Sequence, residues 1–358
     1  DAKVVELATE LWGSLDLPVS LTARKVGKGT VYWGQDIYLK TDDEEEFYPS
    51  YVKTANLLKE IGLDEDFSVG GAPIRFTHRK TNDRDIYFVA NTSDSIISVD
   101  ADFRVSGMTP ELWHSETGER RSLPNFIDRG DKTTIPLQFE AHESYFVVFG
   151  KDNRGFPSNG KNFQTFNDVK LIDGEWSVSF DPKRGGPENI IFESLIDWKD
   201  HTEPGVKHYS GKATYTKTFD VQAEIKPKDN YFIELGPTYE MARVTLNGED
   251  LGTVWTSPWR VPTKTALKSK ANILKVEVAN SWENRLIGDT LAEDKDVRTL
   301  KWSSGLLEGK EYKAGRYTFT TYLKAASDFG DIKLEPPKLQ SSGLIGPVKI
   351  VKVDESNQ

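Results

Sequence analysis

No cysteine occurs in the 358 residues, which removes disulfides, thiol nucleophiles and thiolate metal sites together. Histidine is scarce as well. Five are scattered at 78, 114, 142, 201 and 208, and no pair has the short spacing of a helical zinc motif. No GxxxxGK[ST] run is present to cradle phosphate, and no GxSxG turn gives a hydrolase triad its serine. A basic stripe is missing too: the net charge is −10, with acids spread along the whole chain, which argues against nucleic acid as a ligand. No apolar run is long enough to span a bilayer. The chain opens at Asp1 without Met or a signal-like apolar segment, which predicts a processed chain or a piece of a larger one.

What is plentiful is aromatic surface, with nine Trp, thirteen Tyr and eighteen Phe. The length exceeds one ordinary core, so two or three domains are expected. The overall reading is mostly β, with a small α/β fragment at the start. Residues 1–70 carry two helical patterns, "AKVVELATELWGSL" and "PSYVKTANLLKEIGL". Between them "GKGTVYWG" reads as a short buried strand. One α/β unit of this size cannot cover both faces of its strand, so it is read as the end of an upstream domain. Residues 71–150 change to a period of two, in "IRFTHRK", "DIYFVANTSD", "IISVDADFRV", "TTIPLQF" and "ESYFVVFG". That spacing predicts an antiparallel β-sandwich. Residues 151–164 are rich in Gly, Asn, Lys and Pro and read as a linker. Residues 165–356 offer "WSVSF", "KATYTKTFDV", "NYFIELGP", "MARVTLNGEDLGTVW", "NILKVEVAN", "RYTFTTYLK" and "PVKIVKV". Seven or more strands with long loops predict a jelly-roll sandwich, and the Asn247-Gly248 pair is the strongest hairpin signal in the chain.

Candidate chemistry gathers in the loops of this last region. A sugar needs flat aromatic faces for its C–H surface and planar polar forks for its hydroxyls, and loops at one end of a sandwich can assemble both. "VWTSPWRVP" supplies Trp255, Trp259 and Arg260, with Trp198 and His208 of "DWKDHTEPGVKHYSG" as neighbours across the sandwich end. The competing reading makes these Trp residues plugs of the core. "SWENRLIGD" is read as a structural clamp, a packed loop in which Trp282 is buried, Arg285 pairs with Glu283 or Asp289, and Asn284 ties down backbone. Paired carboxylates for glycoside hydrolysis are available by count, among them Asp197, Asp200, Glu203, Glu283 and Asp289, but no spacing selects a pair.

The stretches "YSGKATY", "ARVTLNGEDLGTVW", "NRLIGD" and "SSGLIGPVKI", in that order, resemble the galactose-binding-like sugar-binding domain of glycoside hydrolases. More narrowly, the chain resembles the C-terminal, non-catalytic region of bacterial α-L-rhamnosidases of glycoside hydrolase family 106. "IRFTHRK", "DIYFVAN", "ELWHSETGE" and "ESYFVVF" are similar to the β-sandwich that precedes that domain. "GKGTVYWG" is similar to the closing strand of the α/β domain that follows the catalytic barrel. The resemblance implies an accessory portion of a secreted or periplasmic bacterial glycosidase. Its partners would be carbohydrate and an N-terminal catalytic barrel absent from this chain. No catalytic residue, cofactor or metal is carried over to these 358 residues. Calcium is implied for the barrel of the parent only. A free-standing carbohydrate-binding protein and a purely structural spacer are the alternatives.

Overall fold

The computed structural model describes residues 2–16, 18–41, 44–151, 160–221, 224–226, 230–291, 310–311, 317–318 and 338–354. The contacts divide the chain into two units. One is Asp1–Gly71 with Asp100–Gly107 and Ile127–Ile135, and the other is Ala72–Val99 with Met108–Phe126 and Pro136–Gln358. The chain is mostly β, in antiparallel sheets.

The first 71 residues hold helices α1, Ala2–Trp12, and α2, Tyr51–Glu60. Ser50 caps α2, its hydroxyl accepting from the Lys53 N–H. Between the helices lie two antiparallel hairpins, Thr22–Val26 with Gly29–Trp33, and Tyr38–Thr41 with Glu44–Pro49. The first replaces the single buried strand expected from "GKGTVYW". Gly27, at φ +58°, makes the turn that brings Val26 opposite Gly29, and of that second strand Trp33 alone is buried.

All five strands expected in residues 71–150 form, and shorter ones join them. Arg120–Ser122, Thr109–Trp113, Ser144–Gly150, Arg84–Asn91 and Ile74–Lys80 lie side by side in one sheet. Ile127–Asp128, Thr133–Phe139, Ile97–Phe103 and Phe67–Ser68 make another. The alternation in "RDIYFVAN" sends Asp85, Tyr87, Val89 and Asn91 inward. Phe139 of one sheet stacks on Tyr145 of the other at 4.6 Å. Of the expected linker, 152–159 lie outside the described residues. Its end is pinned: Asn162 is buried, donates to the Asn125 and Pro136 carbonyls and accepts from the Asn125 N–H.

The second sandwich follows. Its smaller sheet runs Phe166–Leu171, Lys349–Val353, Tyr231–Glu234, Arg260–Pro262. The larger runs Ile190–Phe192, Trp176–Phe180, Lys212–Phe219, Asn272–Ala279, Met241–Leu246, Glu249–Val254. Inward residues of both sheets form one core, with Val178, Tyr215, Val244 and Val276 from the larger meeting Ile233, Val261 and Ile350 from the smaller. Each large aliphatic side chain so buried contributes about 1.5–3 kcal/mol. The Asn247-Gly248 turn forms as the sequence predicts, with φ +54° and +88° and Leu246 opposite Glu249. Most of "RYTFTTYLK" lies outside the described residues, with Tyr317–Thr318 as its described strand.

Candidate functional site

Strand register gathers the distinctive motifs at one end of the second sandwich. Lys212 and Met241 both lie opposite Ala279, and Ala242 opposite Val254. One end therefore carries the start of 212–219, the start of 241–246, the exit of 249–254 and the exit of 272–279. Gly343 and Leu344 join it by pairing with Tyr239 and Thr238.

The segment 338–344 is held here by side chains from three directions. Asp197 accepts from the Ser342 N–H at 2.9 Å and the Lys199 N–H at 3.1 Å, and it pairs with the Lys199 ammonium at 2.9 Å. Burial works against that carboxylate, but the hydrogen bonds from Lys199, Ser342 and Ser341 outweigh it and hold the acid below its usual range. Lys199 also donates to the Ser341 hydroxyl at 2.7 Å. Asn280 donates to the Tyr209 carbonyl and the Ser342 hydroxyl, and accepts from the Gly211 N–H. Asn284 is buried and bonds both ways with the Gln340 backbone.

Several expected sugar contacts turn out to be structural. Trp198 is fully buried, and its indole N–H donates to the Tyr215 hydroxyl while Phe180 and Tyr209 meet it edge-on. It offers no face to a ligand. His208 ends the short helix α3, Pro204–Lys207, and sits where a side chain on Gly288 would be. Burial, and then the Lys207 and Arg285 charges, favour its neutral form. Trp259 is half-buried against the core. Arg260 forks onto Glu234, at 2.5 and 3.1 Å, and lies 3.9 Å over the Phe166 ring, so its planar face and fork are occupied. Trp255 alone of the expected set presents an open ring, 59% exposed.

The clamp also differs from expectation. "SWENRLIGD" is no loop: Glu283–Leu291 is helix α4. Trp282, just before it, is 55% exposed and does not fill a core. Arg285 donates to the Arg184 carbonyl at 3.1 Å, and the Asp289 side chain lies outside the described residues. Asn284 does tie down backbone. Glu203 caps α3 through the Gly205 N–H, and Glu283 accepts from the Gln340 amide at 3.5 Å. Among the described residues no group of three or more His, Asp or Glu is placed to hold a metal ion.

Two residues at this end escaped the sequence reading. Tyr239, in the short strand paired with Gly343 and Leu344, and Met241, which opens the strand paired with Glu249–Val254 just ahead of Trp255, are 40% and 47% exposed. An outward aromatic two residues before the strand at Met241 was the available signal. Together Tyr239, Met241, Trp255 and Trp282 give the sandwich end an apolar, largely aromatic rim beside the Lys199–Asp197 pair.

Comparison with known proteins finds matches to two family models. Residues 1–126 match the glycoside hydrolase family 106 model, described as alpha-L-rhamnosidase. Residues 196–320 match the "Glycosyl hydrolase 2 galactose-binding domain-like" model. The rhamnosidase structure from Novosphingobium sp. PP1Y is 29% identical with a TM-score of 0.65, over 98% of this chain and 28% of that one. The first 126 residues are thus similar to the family 106 rhamnosidases. A Formosa agariphila protein named "Putative beta-glucuronidase" is 33% identical over 192 residues, which are 52% of this chain and 16% of that protein. A Ruminococcus gnavus beta-glucuronidase is 17% identical over 54% of the chain and 28% of its own, with a TM-score of 0.33. The chain thus spans between about a sixth and somewhat over a quarter of the length of these relatives.

Proposed function

We propose that this chain is the accessory, non-catalytic portion of a secreted bacterial glycoside hydrolase that acts on α-L-rhamnosides, and that the rim of its second sandwich contacts carbohydrate. The observation that carries the reading is the match to a rhamnosidase along 98% of this chain while only 28% of that enzyme is covered. The acids described above support it. Asp197 is held ionised by its donors and Glu203 caps a helix, so neither is poised to give a proton to a leaving group. Glu143 has the raised pKa of a general acid, about 7. It is buried, however, and bonded to the Glu140 N–H at 2.8 Å, which makes it a turn cap.

The rim has the features a sugar needs: an open indole at Trp255, a phenol at Tyr239 and a charged pair at Lys199 and Asp197. The test is hydrolysis of an aryl α-L-rhamnoside by the purified chain. The expected result is no release of the phenol above a blank from host cells carrying no gene for the chain. Turnover that co-purifies with the chain and survives a change of host would contradict the non-catalytic reading.

A further inference from the structure

Of the 23 large apolar side chains exposed among the described residues, thirteen lie within residues 1–71, so a fifth of the chain carries more than half of them. Val4, Leu7 and Leu11 fall along one stripe of α1, with Leu15 just past its end, and the four are 62, 49, 43 and 64% exposed. Neither α1 nor α2 buries a single residue. Helices of eleven and ten residues do not hold themselves in water and draw their stability from packing an apolar face. This unit supplies α1 with little such packing.

A second observation lies beside the stripe. Trp12 and Trp33 meet edge to face at 6.0 Å. With Ala8, Ser14, Leu15 and Asp16 they line a cleft of about 240 Å³. Trp33 is 8% exposed, yet its indole N–H has no hydrogen-bond partner among the described residues. A buried donor without an acceptor is rare in a finished structure. The missing acceptor and the missing apolar cover are on the same surface.

We propose that this face docks a further folded part of the same polypeptide, the catalytic part of the longer glycosidase. In this arrangement an apolar side chain of that part fills the Trp12–Trp33 cleft, and one of its carbonyl or carboxylate oxygens accepts from the Trp33 indole. The proposal rests on the accessory-portion reading above. Residues 1–126 match the α-L-rhamnosidase family model, and the rhamnosidase aligned along this chain is more than three times as long, so a chain of this kind has a body large enough to cover the stripe. A lipid surface fits less well. The charged residues of α1 are Lys3, Glu6 and Glu10, an acidic excess that an anionic membrane would repel.

The absence of cysteine from this chain makes a direct test available. Leu15→Cys places a thiol on the exposed stripe without disturbing a core, and Ile191→Cys, at a site 56% exposed on the second sandwich, serves as control. Maleimide labelling of each is timed in the 358-residue chain and in the complete product of its gene, and read by peptide mass. The thiol of Leu15→Cys is expected to label about 100-fold more slowly in the complete product, as a site opened only by local undocking would, while that of Ile191→Cys labels at one rate in both. Adding Trp33→Phe, which removes the orphan donor, should speed labelling of the stripe thiol in the complete product and leave it unchanged in the chain alone. Equal rates for the stripe thiol in the two proteins would overturn the docking. So would slow labelling in the 358-residue chain that quickens on dilution, which would mean that a second copy covers the stripe. A gene product holding no glycosidase part would instead sink the accessory-portion reading, a result distinguishable from a longer enzyme whose stripe thiol stays open.

Discussion

Asn284 and the backbone of Gln340 bond to each other in both directions: the amide donates to the Gln340 carbonyl at 2.7 Å, and its oxygen accepts from the Gln340 N–H at 2.7 Å. The same amide reaches the Ser342 hydroxyl at 3.1 Å. A buried side chain thus acts as the pairing partner that segment 338–342 lacks. Asn284→Ala would take the side-chain partner from the part-buried Gln340 N–H and carbonyl, at a cost of about 3 kcal/mol for the two together. Thermal melting should fall by roughly 6–12 °C for a domain of this size. Trp282→Ala, two residues away but exposed, should cost under about 1 kcal/mol. Equal losses for the two would show that helix α4, not the amide, holds this end.

Gly343 lies against the indole of Trp198. A Cβ at 343 would come within 2.4 Å of the ring nitrogen, and the backbone there has φ +95°. Gly343→Ala should therefore cost about 2–4 kcal/mol from strain and overpacking combined. Denaturant midpoints would register the loss. A midpoint unchanged from wild type would mean that the segment does not rest on Trp198.

Glu143 makes stability fall as pH rises. Burial, with repulsion from Glu140 and Glu116, lifts its pKa from 4.5 to about 7 against the opposing pull of the Glu140 N–H and Arg260. Between those values the folded chain holds a proton that the unfolded chain has released. Stability therefore declines across that window, by about 3 kcal/mol in all, and levels off above it. Glu143→Gln keeps the acceptor for the Glu140 N–H and cannot ionise. The variant should lose this component of the slope and be the more stable protein at pH 8. Wild type and variant running parallel from pH 5 to pH 8 would refute the assignment.

Period and turn chemistry were enough to read most strands. "KATYTKTF" and "NILKVEVA" alternate cleanly because each has one face on the core. The helix at "ENRLIGDTL" was not legible, since Gly288 weakens the helical pattern. That glycine serves packing, because a side chain there would strike His208 at 2.5 Å. The expected sugar-contact residues divided for a related reason. Trp198 and Trp255 both stand among polar and small residues, and nothing local tells which will be folded over. Trp198 is covered because segment 338–344, more than 140 residues later, returns across it. Arg260 likewise has its partners, Glu234 and Phe166, on other strands. Local sequence shows the residue type that could bind a sugar, and long-range pairing decides which of them stays open.

Carbohydrate binding at the aromatic rim of the second sandwich can be read by NMR titration of the isotope-labelled chain with rhamnose, galactose and fucose. One stacking contact and a few hydrogen bonds in competition with water should give a dissociation constant on the order of millimolar, about 4 kcal/mol. Saturable shifts of the Trp255 indole N–H and of backbone amides at 239–241, 253–256 and 281–284 are expected with at least one of the three sugars. Trp255→Ala should abolish them while leaving the melting temperature unchanged. No shift with any of the sugars at tens of millimolar, a concentration that would saturate such a site, or shifts that persist in Trp255→Ala, would contradict it.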